Sequence, residues 1–241
     1  VVRIIRDNKI GRDGFFTRQI NTYLQTKSNF DYPRDRIIRP SEITECTRAI
    51  VCKLLGFSVR EVITPRQQRI FDNGNYVHKR YLKSYIPHMG WAAKVEVDDN
   101  GKTKIKDFIE VTAYNEELWL KGTPDAVIIN KEDGLPYIFE LKSIKQELFF
   151  ALEQPDWGYM AQVHLYMLLT GIPRAIVFYE NKNDQDIKEF LVLQDPHIME
   201  LLLNKIKEIQ TYVLNYEETK LLPPFCMDKY CMLCKNERIN K

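Results

Sequence analysis

Several things are scarce in this chain of 241 residues, and each scarcity excludes something. No apolar run approaches the roughly 18 residues of a membrane-spanning helix. No signal-peptide pattern opens the sequence, so a cytoplasmic setting is the expectation, or the host cytoplasm if the source is viral. No segment repeats and none is of low complexity, which excludes a solenoid. No Gly-x4-Gly-Lys-Ser/Thr helicase motif occurs in these residues, so a partner protein is expected to supply that context. Net charge is only +2, which by itself marks no partner. Cysteine is sparse and odd in number: Cys46, Cys52, Cys226, Cys231 and Cys234. Three of them fall within nine residues. That is poor arithmetic for a disulfide framework and points to metal or cluster ligation.

What is present is ordinary globular material, 44% hydrophobic and 28% charged, enough for one large domain or a domain with appendages. The charge is unevenly placed. Residues 1–69 hold 14 Lys/Arg against 7 Asp/Glu, or +7, and the remainder holds 21 against 26, or −5. A basic front on an acidic body suits an N-terminal part that meets phosphates, although a plain solvated surface has the same signature.

Along the chain, a short helix is expected over Gln19–Gln25. Ser41 is expected to cap a helix running through Cys46 and Cys52 to Leu55, stopped by Gly56. A second helix spans Pro65 to about Ile86, with Pro87 ending it. Trp91–Val97 alternates like a strand, Asp98–Gly101 is a turn, and Lys104–Thr112 with Glu117–Lys121 continues a sheet. Gly122–Ile129 and Tyr137–Ser143 read as a hairpin around the polar turn 130–134. A helix follows from Asp156 to Leu169, closed by Gly171 and Pro173, and then come strands at Ala175–Glu180 and Ile187–Leu193. Asp195-Pro196 starts a long helix ending near Tyr216. This order predicts a mixed α/β fold, a mixed central sheet flanked by helices, with a cysteine-bearing cap from both chain ends. The divisions expected are a basic, aromatic extension at 1–40, a core at 41–220 and a cysteine tail at 221–241.

The hairpin carries acidic chemistry where a core strand would not. Residues two apart share a strand face, so Glu140 and Lys142 point one way and Leu141 the other. Hairpin pairing brings Asp125 near Glu140. Two carboxylates suit Mg²⁺ or Mn²⁺, which prefer oxygen ligands and retain waters. A lysine beside them can stabilise negative charge developing on phosphorus. Alone, a Glu-x-Lys is an ordinary salt bridge. Gly74 and His78 share a helix face, where a small residue admits a backbone or a phosphate and the imidazole offers a nitrogen ligand. Gln162 and Tyr166 are likewise one turn apart.

Taken in order, Gly74-x-x-x-His78, Gly122-x-x-Asp125, Glu140-x-Lys142 and Gln162-x-x-x-Tyr166 resemble the signature of the RecB-like branch of the PD-(D/E)xK nuclease superfamily. Even the Pro-Asp pair stands, as Pro124-Asp125. The resemblance implies a restriction-endonuclease-like fold and a metal-dependent deoxyribonuclease, acting as an exonuclease on DNA ends or single-stranded DNA in repair, recombination or CRISPR-type adaptation. It implies His78, Asp125, Glu140 and the Leu141 carbonyl as ligands, Lys142 as catalytic lysine, and Gln162 and Tyr166 as DNA contacts or support.

In this resemblance Cys46 joins Cys226, Cys231 and Cys234 around a [4Fe–4S] cluster that staples the chain ends. The pattern is similar to the iron–sulfur exonucleases of CRISPR spacer acquisition and to AddB-type nuclease domains, and Cys46-Thr47-Arg48 resembles a Cys-x-Arg found there. The C-terminal triplet departs from one common form, since the wider gap comes first, and Zn²⁺ is the alternative occupant. Six helical steps place Cys52 about 120° round from Cys46, so Cys52 reads as a core thiol. Arg48, Lys53, Arg60, Arg66, Arg69 and Tyr76 are candidates for a DNA-facing wall. A helicase, recombination or CRISPR adaptation protein is the expected partner, and no membrane is. The rival reading is a non-catalytic DNA-end-binding subunit; the intact acidic and lysine positions weigh against it.

Overall fold

The computed structural model describes residues 14–26, 36–57, 63–91, 96–97, 103–104, 112–228, 231, 233 and 234. The chain divides into two compact units, residues 1–33 with 60–76 and residues 34–59 with 77–241. In the first unit, helix α1 (Phe15–Thr26) is longer than the stretch expected from sequence. Helix α3 (Pro65–Arg80) starts in this unit on a capping box: the Gln67 amide donates to Thr64 Oγ1 at 3.2 Å, and the Thr64 amide donates back to Gln67 Oε1 at 2.8 Å. Arg69 Nη1 ties the two helices together through Asn21 Oδ1 at 2.8 Å.

The second unit is built on a four-stranded mixed sheet in the order β5 (Ala126–Ile129), β6 (Pro136–Ile144), β7 (Arg174–Asn181), β8 (Ile187–Leu193). Strands β5 and β6 pair antiparallel, β6 and β7 parallel, and β7 and β8 antiparallel. The parallel join needs a crossover, which α5 (Gln146–Phe150) and α6 (Trp157–Thr170) provide. Helix α6 begins where Asp156 Oδ1 accepts from the Gly158 amide at 2.8 Å and stops at Gly171, which takes a left-handed φ of 71°. Its residues 161–167 are all buried, so it is wrapped on both sides.

One side of α6 packs through Val163, Tyr166 and Met167 on Ile138, Val177 and Tyr179 of the sheet. The other, through Ala161 and Leu165, meets Ile50 and Val51 of α2 (Thr47–Leu54) and Ile206, Ile209 and Val213 of α7 (Pro196–Thr219). Asp195 caps α7 as expected, accepting from the His197 amide at 2.8 Å. The opposite sheet face is covered by Val77, Leu82 and Ile86, which pack on Ala126, Phe139 and Leu141. The mixed sheet flanked by helices is therefore as expected. No helix among the described residues is long and apolar enough to cross a membrane.

Three expectations are corrected. Ser41 caps no long helix: Pro40–Glu42 is a single 3₁₀ turn, and α2 starts only after Cys46, whose backbone is extended (φ −55°, ψ 129°). The break lets Ile43 enter the core and puts Cys46 at the helix start, where its thiol reaches the tail. Pro87 does not end the second helix. A π turn at Tyr81–Tyr85 is followed by α4 (Ile86–Met89), with Gly90 at φ 68° closing it. Pro87 lies in the first turn of α4, where a missing N–H costs nothing. Finally, Glu117–Trp119 is a turn, and β3 (Ala113–Asn115) pairs with β4 (Leu120–Gly122) as a separate two-stranded sheet. Of the strands expected over 91–112, the short pair β1 (Glu96–Val97) and β2 (Thr103–Lys104) is seen, and the rest lie outside the described residues.

Candidate active site

The site gathers where β5 begins and β6 passes it. Ala126 is the register partner of Phe139, so Asp125, just before β5, stands beside Glu140. The Leu141 amide donates to Asp125 Oδ2 at 2.7 Å, and His78 Nε2 lies 3.1 Å from the same oxygen. Helix α3 and the hairpin thus converge on one carboxylate. On β6, Glu140 is 2% exposed and its Oε1 accepts from Lys142 Nζ at 2.6 Å and from Gln162 Nε2 at 2.8 Å. Gln162 Nε2 also donates to Tyr166 Oη at 3.0 Å. The residues expected from sequence as one constellation are therefore in contact: His78 with Asp125, and Glu140 with Lys142, Gln162 and, through Gln162, Tyr166.

Burial pushes the Glu140 carboxyl up to about 7, the Asp125 charge adds to this, and Lys142 opposes it. Burial works to lower the Lys142 ammonium, but the Glu140 carboxylate outweighs it and holds the pKa above the usual lysine value. Lys142 therefore stays charged. Burial also pushes the Tyr166 hydroxyl up, and the Glu140 charge adds to that shift.

The remaining Glu140 oxygen, Oε2, is buried with no hydrogen-bond partner among the described residues. An orphaned carboxylate oxygen next to a second carboxylate and an imidazole fits a hard divalent cation, which would satisfy it directly. Among the described residues only the four cysteines bring three or more such donors within 4.8 Å of one another. His78, Asp125 and Glu140 are not such a group, so an ion here would draw them in or keep waters between.

Burial also predicts a pH signature. With a folded pKa near 7 against 4.5 for the free group, Glu140 contributes its full stability below about pH 4.5 and loses it as the pH rises through about 7. The loss is about 3 kcal/mol by pH 8. In chelator, the fall in Tm from pH 5 to pH 8 should be smaller in Glu140→Gln than in the wild type. An unchanged profile in that variant would sink the assignment.

No family model matches the chain, and no curated protein matches it either. Solved structures do. The crystal structure of the protein SSO0001 superposes with a TM-score of 0.50 at 14% identity, over 83% of this chain and 88% of its own. The alkaline exonuclease of Laribacter hongkongensis gives 0.50 at 11% identity, over 83% and 97%. The same exonuclease solved with dAMP gives 0.51 at 14% identity, over 78% and 95%. The chain shares the fold of these structures. At these identities the likeness concerns the fold alone, and every site assignment rests on this chain's own geometry.

Sequence reasoning missed Tyr159, whose ring centroid lies 4.5 Å from Lys142 Nζ. The helical period was the available signal, because Tyr159, Gln162 and Tyr166 stand at i, i+3 and i+7 on one face of α6. The glycine of Gly122-x-x-Asp125 has a steric reason: a Cβ there would meet Pro40 Cγ at 2.6 Å and Tyr166 Cε1 at 2.7 Å. Gly122→Ala should cost about 1–3 kcal/mol, read as a lowered Tm, and an unchanged Tm would contradict the close packing. A Cβ at Gly74 would meet nothing within 4 Å among the described residues.

The cysteines form a second constellation. Cys46 Sγ lies 3.7 Å from Cys234 Sγ, and the thiols of Cys46, Cys226, Cys231 and Cys234 all lie within 4.8 Å of one another. Burial pushes the Cys234 thiol up to about 12, although a bond from the Cys226 backbone opposes it. Four thiols so gathered fit a four-coordinate metal centre. Cys52 is buried in α2 and is not one of the four.

Arg48 is engaged with the tail: its Nη1 donates to the Pro223 carbonyl at 2.6 Å, and its Cζ lies 4.2 Å from the Phe225 ring centroid. Lys53 pairs with Glu45 at 2.9 Å. Tyr76 is 71% exposed in the first unit, and Arg60 lies outside the described residues.

Proposed function

We propose that this chain is a metal-dependent deoxyribonuclease, an exonuclease acting on DNA ends or single strands. One observation carries the reading: among the described residues Glu140 Oε2 is buried and unpartnered beside Asp125 and Lys142, on a fold shared with an exonuclease. Asp125, Glu140, His78 and the Leu141 carbonyl would hold Mg²⁺ or Mn²⁺. Such an ion polarises a phosphoryl oxygen and lowers the pKa of a bound water. Lys142, held by Glu140 and Tyr159, keeps its proton and faces the negative charge that builds on phosphorus. Gln162 fixes the Glu140 rotamer by occupying Oε1, which leaves Oε2 for the ion. That an alkaline exonuclease with this fold has been solved with dAMP supports DNA as the substrate class.

The four-cysteine centre is proposed as a [4Fe–4S] cluster, on its resemblance to the iron–sulfur branch. One observation favours Zn²⁺ instead: a tetrahedral ion with Zn–S near 2.3 Å separates its sulfurs by about 3.8 Å. The 3.7 Å approach of Cys46 to Cys234 matches that spacing, and a four-iron cube spreads its thiolates further. A helicase, recombination or CRISPR adaptation protein is the proposed partner.

End-labelled single- and double-stranded DNA incubated with Mg²⁺, Mn²⁺ or chelator tests the function. Shortening from an end that chelator stops is the expected result. Tight binding without cleavage under any metal would make the chain the non-catalytic binder.

A further inference from the structure

Positive charge gathers at the four-thiol centre, and it comes from both sides. Lys205 reaches in from α7: its Nζ donates to the Glu45 carbonyl at 2.7 Å, across 160 residues. That carbonyl belongs to the peptide group that carries the Cys46 amide. The lysine is part-buried on the flank of α7, next to Ile206, which packs against α2. Burial lowers its pKa, and Cys46 heads the groups that oppose the shift, ahead of Glu208 and Glu45. Among the described residues Lys205 makes no ion pair with a carboxylate, and the Glu45 carboxylate is engaged with Lys53 at 2.9 Å. Arg48 makes the matching bond on the tail side, from Nη1 to the Pro223 carbonyl at 2.6 Å. Its guanidinium lies over Phe225, the residue before Cys226.

Without a negative charge this placement is unfavourable. The N-terminus of a helix is the positive end of its dipole and favours anions. Helix α2 begins directly after Cys46 and has no acidic residue in its first turn, yet Arg48 and Lys205 both stand there. Four protonated thiols are neutral and answer none of this. A divalent ion held by four thiolates leaves two negative charges over. A [4Fe–4S] core with two positive charges of its own leaves the same two. One lysine and one arginine balance that excess whichever occupant is bound.

We infer that Lys205 is a counter-charge of the four-thiolate centre, held at Cys46 so that the centre keeps its metal. The inference rests on the metal-centre reading of the four cysteines and is independent of the nuclease reading. Lys205 is not a ligand; its charge acts on the ligand set from behind, as such partners of a metal site commonly do.

Three variants test it. Lys205→Met removes the charge and keeps the length of the stem, and Lys205→Arg keeps the charge. Lys207→Met, at an exposed position of the same helix, changes the net charge alone. Each protein is purified anaerobically with the iron or zinc that it carries, and the metal released into EDTA is measured over time. Lys205→Met should release metal about tenfold faster than the wild type, with Lys205→Arg and Lys207→Met close to the wild-type rate. Thermal melts separate charge from mere bracing. Loaded Lys205→Met should melt below the loaded wild type, and the metal-stripped pair should show no such gap, because a part-buried ammonium facing neutral thiols contributes nothing. An unchanged release rate in Lys205→Met would overturn the inference. So would an equal loss of Tm in the stripped pair, or a Lys205→Arg protein that sheds metal as fast as the methionine variant. If the stripped chain has no cooperative melt, the release rates and the arginine variant decide. Cys231→Ala separates the two readings. If that variant carries as much iron or zinc as the wild type, the metal-centre reading has failed and this falls with it. Metal lost in Cys231→Ala, with no effect at Lys205, removes this inference alone.

Discussion

Replacing Lys142 by alanine is expected to slow DNA cleavage about a thousandfold while DNA binding persists. The size follows from its place. Its Nζ sits 2.6 Å from Glu140 Oε1 and 4.5 Å from the Tyr159 ring centroid, and its pKa is held above the usual lysine value. The charge is therefore fixed in orientation and permanent at working pH, which makes it effective against charge that appears only in the transition state. The fold should survive. Glu140 loses its counter-charge but keeps the Gln162 bond, and a carboxyl already pushed to about 7 can take up a proton. The variant should then bind its metal less readily at neutral pH and recover partly as pH rises. Asp125→Ala should be as inactive for a different reason. It removes the acceptor that holds both the Leu141 amide and His78. Single-turnover rates at saturating Mn²⁺, beside filter binding of the same labelled DNA, separate the two steps. A Lys142→Ala rate within tenfold of wild type would remove the lysine from its role.

The hairpin and its chemistry were legible because they are local. Asp125 stands just before, and Glu140 and Lys142 on, two strands joined by a short polar turn, where strand period and antiparallel pairing settle which side chains meet. Gln162 and Tyr166 were legible for the same kind of reason, one helical turn apart on the element that must cross over to β7. What the sequence hid depends on distance along the chain or on backbone detail. Arg80 and Glu180 meet across one hundred residues, and neither stands in a recognisable pattern. The π turn at Tyr81–Tyr85 leaves no mark in a periodic reading, so Pro87 looked like a terminator. Ser41 looked like a cap because Ser before an apolar run usually is one. Burial of Ile43 and the reach of Cys46 to Cys234 outweighed that local preference.

Replacing Cys231 by alanine should empty the four-thiol centre and lower stability by several kcal/mol, because metal binding at such a site is itself folding free energy. The centre joins Cys46, at the start of α2, to Cys234 across 188 residues, so it closes most of the chain into one loop. Closing so long a loop restricts the unfolded state heavily. Arg48 adds a second tie at the same place through Pro223 and Phe225. It should slow, but not prevent, detachment of the tail once the metal is gone. Cys52→Ala is the control: that thiol is buried in α2 away from the four, so it should cost only about 1 kcal/mol of packing and leave the metal content intact. Metal analysis, absorbance and thermal melting of anaerobically purified protein read the outcome. A brown wild type with iron and sulfide identifies the cluster, and a colourless one with a single zinc identifies the ion that the 3.7 Å spacing favours. A Cys231→Ala protein with wild-type metal content and Tm would overturn the centre. The centre and the hairpin share no ligand, so below its lowered Tm the Cys231 variant should need the same Mn²⁺ concentration for cleavage as the wild type. A shift there would mean that the clasp shapes the active site as well as holding the chain ends.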